Sequence, residues 1–246
     1  MKAVFSVLND IGPRPVNENS YYCNPETSLF VISDGMGGRG FGDEAAGMAT
    51  KSLVTFIEHA SGDTEATMIL KRKQGVSTEQ VYLVNAINFA NAELVKASKA
   101  SSRFPKMGCS IAAVIARSRY VSFAGLGDVR AYIYRGGKIK KISAEHTICA
   151  SVLLESPRPE QDIPISFLGV EDDLLAGITG RDERVKESDL VIMMTASIPK
   201  YLTEKEICLI IEEYAQNLDK LNKELLGKSR LKGNRDNATL ISLLTN

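Results

Sequence analysis

The stretch VISDGMGGRGFGDEAA, from Val31 to Ala46, holds residues whose types and spacing could do chemistry. An aspartate, Asp34, ends an apolar run and is followed by closely spaced glycines before a helical pattern begins. Taken alone, an aspartate before a glycine is typical of a turn that caps a strand. The glycines, however, permit close approach of another group and leave backbone carbonyls free as oxygen donors. A strand-end carboxylate beside such a carbonyl suits Mg²⁺ or Mn²⁺.

Three other turns carry side chains that could complete such a site. They are RPVNENS at residues 14–20, GLGDVRAY at residues 125–132 and GNRDNATL at residues 233–240. Each is ordinary turn chemistry when taken singly. Because these ions keep several waters and need only a few carboxylates from the protein, the turns together predict one metal site if the fold brings them together.

The elements that must position these turns are read from the hydrophobic pattern. Apolar runs bounded by turn residues predict strands at Ala3–Leu8, Leu29–Ser33, Ser110–Ala116, Tyr120–Leu126, Arg130–Tyr134, Leu190–Thr195 and Ala238–Leu244. Apolar residues at threes and fours predict helices from Asp43 to His59 and after a capping box at Ser77 and Gln80. A second capping box, at Thr203 and Glu206, predicts a helix that breaks near Asn217.

The order of these elements favours antiparallel sheets packed together, with helices on their outer faces, over a doubly wound parallel sheet. Neither an internal repeat nor a Pro/Ser-rich linker interrupts the chain, so we predict one domain over residues 1–246. The stretch at 150–163 contains two prolines and little periodicity, and we predict that it forms a short surface flap.

Composition narrows the class of protein. The chain has 246 residues, 44% of them hydrophobic, and its 30 basic residues balance 30 acidic ones. This balance gives no global field for nucleic acid or an anionic membrane, and we expect neither partner. Four widely spaced cysteines without a C-x-x-C pair favour reduced thiols in the cytoplasm over a zinc cluster. The glycines at 35–42 lack the lysine and hydroxyl that follow a nucleotide-binding loop.

Six short motifs occur in an order that resembles the metal-dependent protein phosphatases of the type 2C family. They are RPVNENS at 14–20 against the family's R-x-x-N-E-D-S, DGMGG at 34–38, MGCS at 107–110 against M-G-T-T, GDVRAY at 127–132 against G-D-S-R-x-Y, SAEHT at 143–147 against T-x-D-H-S, and DN at 236–237. The resemblance runs nearly the whole length of the chain. It implies an α+β fold, a four-layer α-β-β-α sandwich of two antiparallel sheets flanked by helices.

The resemblance also implies an enzyme that hydrolyses phosphoserine and phosphothreonine with a water held between two Mn²⁺ or Mg²⁺ ions, without a phosphoenzyme intermediate. Carried over residue by residue, Asp34 would bridge both ions, and Glu18 and the carbonyl of Gly35 would bind one of them. Asp236 would bind the other. Asp128 matches a residue that helps to hold a third, weaker ion.

Substrate contacts follow from the same resemblance. Arg14, four residues before Glu18, would grip the substrate phosphate through its planar set of donors. His146 matches a histidine that is proposed as a general acid towards the leaving alkoxide. The implied substrates are phosphoproteins, among them targets of a cognate serine/threonine kinase, and we expect the chain to be monomeric.

The chain departs from the family pattern at the metal site. Where the family has S-D-G after a strand, residues 195–197 read TAS, so Ala196 stands in place of a metal-binding aspartate. An alanine cannot ligate, and we expect the third-ion site to be weak or empty. Asn19 replaces an aspartate that supports waters around the ions, and Glu145 lengthens another acidic side chain.

Several readings of this substitution stay open at the level of sequence. The chain is a working phosphatase whose ions are held more loosely, or a catalytically degenerate phosphatase fold that acts as a regulatory binding module. A third reading is a variant inactivated on purpose, against which Ser197 argues, because engineering one ligand would leave the glycine alone. Outside the family, the alternative is a Mg²⁺-dependent hydrolase of small phosphate esters with a deeper pocket.

Overall fold

The structure is a computed structural model that describes residues 4–36, 41–62, 74–100, 107–144, 146–147, 164–170 and 177–245. Its strands are β1 (Val4–Asp10), β2 (Asn19–Asn24), β3 (Leu29–Met36), β4 (Gly108–Ala116), β5 (Tyr120–Leu126), β6 (Arg130–Arg135), β7 (Lys138–Lys141), β8 (Thr179–Arg184), β9 (Leu190–Met194) and β10 (Ala238–Leu244). Its helices are α1 (Gly42–Gly62), α2 (Thr78–Ala100), α3 (Glu204–Tyr214) and α4 (Leu218–Leu231). The predicted strands and helices are all present.

The strands form two five-stranded sheets, ordered β1-β10-β9-β6-β7 and β2-β3-β4-β5-β8. Every pair of neighbouring strands in these sheets is antiparallel. The chain enters the first sheet with β1, builds the second with β2 to β5, and returns to the first with β6. A site shared by the two sheets can therefore form where the loops that follow β5 and β9 meet the loops that precede β2 and β10.

Three apolar cores separate four layers. Along β9, Leu190 and Ile192 face the core against α3 and α4, while Val191 and Met193 face the other sheet. This alternation is the period of two that a strand imposes on its side chains. Helices α1 and α2 pack on the outer face of the β2–β8 sheet in the same way. The layers are thus α-β-β-α, which confirms the predicted fold class.

Helix starts follow the predicted capping signals. At α3, the Thr203 hydroxyl accepts from the Glu206 backbone N–H and the Glu206 carboxylate accepts from the Thr203 backbone N–H, which completes the capping box. At α2, the Ser77 hydroxyl caps the Gln80 N–H at 2.9 Å, and the Ser77 N–H donates to Asp182 of β8. The break near Asn217 is confirmed, since Asn217 caps the first turn of α4.

Three strands have no counterpart in the sequence-based prediction: β2, β7 and β8. All are edge strands, and their sequences are polar or charged. The predicted flap at 150–163 lies outside the described residues, and the prediction of one domain over 1–246 stays a prediction. In the described part of the chain, the helices fall short of the length and apolar character that a membrane span requires.

Candidate active site

The loops that join the two sheets surround a cavity of about 360 Å³. The predicted site residues that line it are Arg14, Glu18, Asp34, Gly35, Asp128 and Asp236. Asp34 lies on β3, opposite Asn19 of β2 and Ser110 of β4 in the register of the sheet. Glu18 immediately precedes β2, and Asp128 and Asp236 come from turns next to strands of the other sheet. The fold therefore brings the four carboxylates to one place.

Gly35 is required because backbone approaches it from two sides. Its N–H donates to the carbonyl of Glu18 at 2.9 Å. A Cβ at this position would lie 2.0 Å from the carbonyl oxygen of Gly42 and 2.7 Å from that of Glu18. Only a residue without a side chain fits such a contact. Gly35 thus holds the Glu18 loop and the start of α1 against the end of β3.

Glu18 lies at the N-terminus of α1. Its carboxylate accepts a hydrogen bond from the Gly42 backbone, which favours the ionised form, as does the positive end of a helix. Burial nevertheless raises the pKa of Glu18 above its usual range, and Asp43 adds to the rise. Glu18 is a carboxylate that would gain from a nearby cation.

The surroundings of Asp34 disfavour the charged form of its carboxyl group. Burial raises its pKa well above the usual range for aspartate, and the neighbouring Asp128, Asp236 and Glu18 raise it further. Lys200 acts in the opposite sense and lowers it. A carboxylate that is buried among other carboxylates is typical of a site built to hold a cation.

Arg14 and Asp236 form an ion pair across the mouth of the cavity. Their side chains are 55% and 50% exposed, so both groups can exchange partners with solvent or ligand at little cost. The next residue, Asn237, accepts from the Glu18 N–H at 2.9 Å and donates to the carbonyls of Ile11 and Val16. Asn237 therefore ties the Arg14–Glu18 loop to the start of β10.

Asp128 is buried and engaged through both carboxylate oxygens. The Ser110 hydroxyl donates to Oδ1 at 3.0 Å, and the Lys200 ammonium lies 3.3 Å from Oδ2. The turn that presents Asp128 needs Gly127, whose φ is +99° and whose added Cβ would lie 2.2 Å from Ser110 Oγ. Sequence reasoning missed Lys200. The sequence feature that could have indicated Lys200 is its spacing, four residues after Ala196, which replaces an aspartate of the family pattern.

Ala196 lies in the wall of the cavity, where it is 2% exposed. It begins a tight turn after β9, in which the Lys200 N–H donates to the Ala196 carbonyl at 3.1 Å. The flanking hydroxyls of Thr195 and Ser197 bond to each other at 3.1 Å. The backbone thus presents residue 196 to the cavity as expected, but with a methyl group where a carboxylate would be.

His146 does not line the cavity among the described residues. Its Nδ1 accepts from the Gly127 N–H at 3.2 Å, and its Nε2 lies 3.5 Å from the Thr179 hydroxyl. The same Nδ1 also lies 3.3 Å from the Gly127 carbonyl oxygen, so the ring is held against the backbone of this turn. His146 stands behind the Gly127–Asp128 turn, and its role as a general acid stays a prediction.

The residues present fit a divalent metal ion by their chemistry. In the described part of the chain, no three His, Cys, Asp or Glu side chains are arranged as they stand to hold an ion. As the chain stands, Asp236 is paired with Arg14, and Asp128 with Lys200. The donors are nevertheless all oxygens, as Mn²⁺ and Mg²⁺ prefer. In addition, the side-chain amide oxygen of Asn19, Oδ1, on the residue opposite Asp34, is buried and has no partner among the described residues, which suits a bound water.

Comparison with known proteins decides the family. The sequence profile described as protein phosphatase 2C matches residues 20–168, which is more than half of the chain. The chain belongs to the protein phosphatase 2C family. Membership confirms the resemblance read from the motifs. By family, the chain is a metal-dependent serine/threonine protein phosphatase of the 2C type, and the alternative of a degenerate binding module is not favoured.

Individual relatives span most of the chain. The serine/threonine phosphatase stp of Listeria monocytogenes serotype 4b is 23% identical over 224 residues, covering 87% of this chain and 82% of that protein. The structure of the serine/threonine phosphatase Stp1 from Staphylococcus aureus has a TM-score of 0.82 at 20% identity, covering 100% of this chain and 96% of that one. The catalytic domain of PstP, solved with two manganese ions, has a TM-score of 0.78 at 18% identity over 99% and 98% of the two chains. At this identity the structural likeness establishes the shared fold.

Proposed function

We propose that this chain removes phosphate from phosphoserine and phosphothreonine in phosphoproteins, using Mn²⁺ or Mg²⁺ held by Glu18, Asp34 and Asp236. The observation that carries the proposal is the convergence of these carboxylates with Arg14 at one cavity between the two sheets. A relative solved with two manganese ions supports the choice of metal.

The chemistry divides between the ions and the protein. When bound, the ions activate a water and neutralise charge on the phosphoryl oxygens. Arg14, half exposed at the cavity mouth, would supply planar donors to the substrate phosphate, and Asp236, its partner here, would be a ligand of the metal. The backbone carbonyl of Gly35 is proposed as a further oxygen ligand.

The loss of a carboxylate at Ala196 weakens metal binding without removing it. Glu18, Asp34 and Asp236 remain, and all three line the same cavity. Since ions of this kind complete their coordination with water, a missing carboxylate lowers affinity more than it alters geometry. We therefore propose an active phosphatase that requires a higher Mn²⁺ concentration than a chain with an aspartate at this position.

The experiment measures Mn²⁺-dependent phosphate release from a phosphothreonine peptide. We expect turnover that saturates only at high Mn²⁺ and, in the double variant Ala196→Asp, Ser197→Gly, half-saturation at an Mn²⁺ concentration about tenfold lower. Asp236→Asn should abolish turnover in both backgrounds. Glu183→Gln, which removes a carboxylate on β8 outside the cavity, is the matched control and should leave turnover unchanged.

Three outcomes would contradict the proposal. A chain that is silent at every Mn²⁺ concentration, but active after the double change, would be a phosphoprotein binder instead of an enzyme. Silence in both would remove the proposed mechanism. Faster turnover of small phosphate esters than of the phosphopeptide would point to a small-molecule hydrolase.

The cellular setting is proposed on the cysteines. The described cysteines, Cys23, Cys109 and Cys208, are free thiols, which suits a reducing compartment such as the cytoplasm. Burial raises the pKa of Cys23 to about 12, so this thiol stays protonated and unreactive at neutral pH. Targets of a cognate serine/threonine kinase are the natural substrate class for such an enzyme, and we propose that it acts as a monomer.

A further inference from the structure

Lys200 is a cation in the wall of the cavity for which the mechanism above gives no role. Its ammonium group lies 3.3 Å from Asp128 Oδ2, and the two side chains are only 17% and 6% exposed. Lysine side chains are seldom this far removed from water unless a charge partner holds them there. The partner here is a carboxylate that the family pattern assigns to metal binding.

The position of Lys200 complements the loss at Ala196. The Lys200 N–H donates to the Ala196 carbonyl, so the two residues are one helical turn apart and lie on the same side of that turn. Both line the cavity. The turn from Ala196 to Lys200 therefore lacks the negative charge that the family pattern places at residue 196. It instead carries the positive charge of Lys200 beside the same cavity.

Lys200 changes the balance of formal charges in the cavity. The carboxylates of Glu18, Asp34, Asp128 and Asp236 face the cationic groups of Arg14 and Lys200. Arg14 is half exposed and free to move to a substrate phosphate, whereas Lys200 is enclosed and stays with Asp128. The Asp128 end of the cavity thus carries an enclosed countercharge, whereas the countercharge at the Asp236 end is exposed and open to exchange.

We propose that the Lys200 ammonium is a built-in cation that occupies the Asp128 end of the cavity in place of a divalent metal ion. The chain then binds Mn²⁺ or Mg²⁺ only at the end formed by Glu18, Asp34 and Asp236. The inference rests on the proposed function in so far as both use these carboxylates. It assigns Asp128 to an ion pair with Lys200 and a hydrogen bond from Ser110, and not to a metal.

Two physical effects act in the same direction. A fixed ammonium group repels a divalent cation that approaches the oxygens it already contacts, and this repulsion is strong where water is scarce. The Ser110 hydroxyl also holds the other Asp128 oxygen at 3.0 Å, so the carboxylate is oriented and engaged before any ion arrives. Removing the lysine charge should release Asp128 as a ligand.

The test counts metal ions and does not depend on turnover. Mn²⁺ is titrated by calorimetry into the metal-free chain, into Lys200→Met and Lys200→Gln, and into each of these variants combined with Asp128→Asn. We expect each Lys200 variant to bind one further Mn²⁺ or to bind its weakest Mn²⁺ about tenfold more tightly. Adding Asp128→Asn should remove this gain, because the carboxylate that the lysine released is then absent. The control Lys140→Met breaks an ion pair with Glu183, outside the cavity, and should change nothing.

A second readout is thermal stability. Without metal, Lys200→Met leaves like charges unbalanced and should melt at a lower temperature than the parent, and saturating Mn²⁺ should raise its melting temperature more than it raises the parent's. The inference is overturned if both Lys200 variants bind Mn²⁺ with the parent's stoichiometry and within twofold of its affinity, or if their gain persists when Asp128→Asn is added. Either result leaves the phosphatase proposal standing, which phosphate release alone decides.

Discussion

At the scale of one residue, the buried carboxylate of Asp34 lowers the stability of the fold when no cation balances its charge. Its pKa is raised by burial and by Asp128, Asp236 and Glu18. Because the folded-state pKa exceeds the unfolded value, the stability linked to protonated Asp34 is complete below pH ~4. That stability is lost as the pH rises through the folded-state pKa. The metal-free protein should therefore be destabilised by Asp34 at neutral and alkaline pH.

Asp34→Asn tests this linkage. The amide keeps the shape of the side chain but carries no charge, so the variant in EDTA should melt about 2–4 °C above the parent at pH 8. The difference should shrink as the pH falls through the raised folded-state pKa of Asp34. Mn²⁺ should raise the melting temperature of the parent and leave the variant nearly unchanged. A variant that is less stable than the parent at every pH would show that the charge on Asp34 is already balanced in the fold.

Arg14 provides a second residue-scale prediction. If Arg14 binds the substrate phosphate through two parallel donors, lysine cannot replace it, since an ammonium group is a point charge without that geometry. We expect Arg14→Lys to raise KM for a phosphothreonine peptide about tenfold or more, with a smaller change in kcat. Steady-state kinetics at saturating Mn²⁺ measures both constants.

A matched control for Arg14 is Arg117→Lys. Arg117 also pairs with a carboxylate, Glu79, and neither residue lines the cavity. Its replacement should leave KM within twofold of the parent. If Arg14→Lys lowers kcat and leaves KM unchanged, Arg14 acts in the chemical step and not in holding the phosphate.

At the scale of elements, the loops of the site depend on a few side chains that fasten them to strands. Asn237 makes three such bonds, to the Glu18 N–H and to the carbonyls of Ile11 and Val16. We expect Asn237→Ala to lower the free energy of unfolding by about 1–3 kcal/mol. Because the loop carries both Arg14 and Glu18, kcat/KM should fall by about tenfold to a hundredfold.

Asn24→Ala separates the two effects. Asn24 is also a turn asparagine, and it caps the β2–β3 hairpin by accepting from the N–H groups of Glu26 and Thr27. This hairpin lies away from the cavity. Chemical denaturation should show a loss of stability in both variants, and peptide kinetics a loss of kcat/KM in Asn237→Ala alone. Equal kinetic losses would mean that general loosening, and not the position of one loop, limits activity.

Local patterns predicted the elements that are buried on both faces. The strands β5 and β10 have the predicted bounds, because their continuous apolar runs contact cores on either side. The edge strand β8 reads TGRDER, without apolar alternation, and is extended because it pairs with β5. Strand formation at such an edge is set by a distant partner, and charged residues there also discourage pairing with other chains.

The same distinction applies to the site. Glu18, Asp34, Asp128 and Asp236 were predicted, since each lies in a short motif that resembles the family pattern. The structure brings all four to one cavity, and their role as metal ligands stays a prediction. Lys200 was missed because its importance depends on which side of a turn faces Asp128, and that is fixed by three-dimensional packing. The hydrogen bonds of His146 to the Gly127 turn were likewise beyond the reach of sequence patterns.

At the scale of the whole molecule, the site exists only where the two sheets are packed together. Glu18 and Asp34 belong to the β2–β8 sheet, while Asp236 and the turn at Ala196 belong to the other. The core between the sheets, which includes Phe30 and Met193, therefore sets the distance between the two halves of the site. The two cores between the helices and the sheets stabilise the fold but do not lie between the two halves of the site.

This division predicts different effects for equal losses of packing. Met193→Ala opens the core between the sheets three residues before Ala196, and Leu225→Ala opens the core between α4 and the β1–β7 sheet. Both side chains are at most 1% exposed, so each change should cost about 2–5 kcal/mol of unfolding free energy. Only Met193→Ala should raise the Mn²⁺ concentration needed for half-maximal phosphate release, by about threefold to tenfold. If Leu225→Ala raises this Mn²⁺ concentration equally, metal affinity depends on overall stability, and the packing between the two sheets does not specifically position the site.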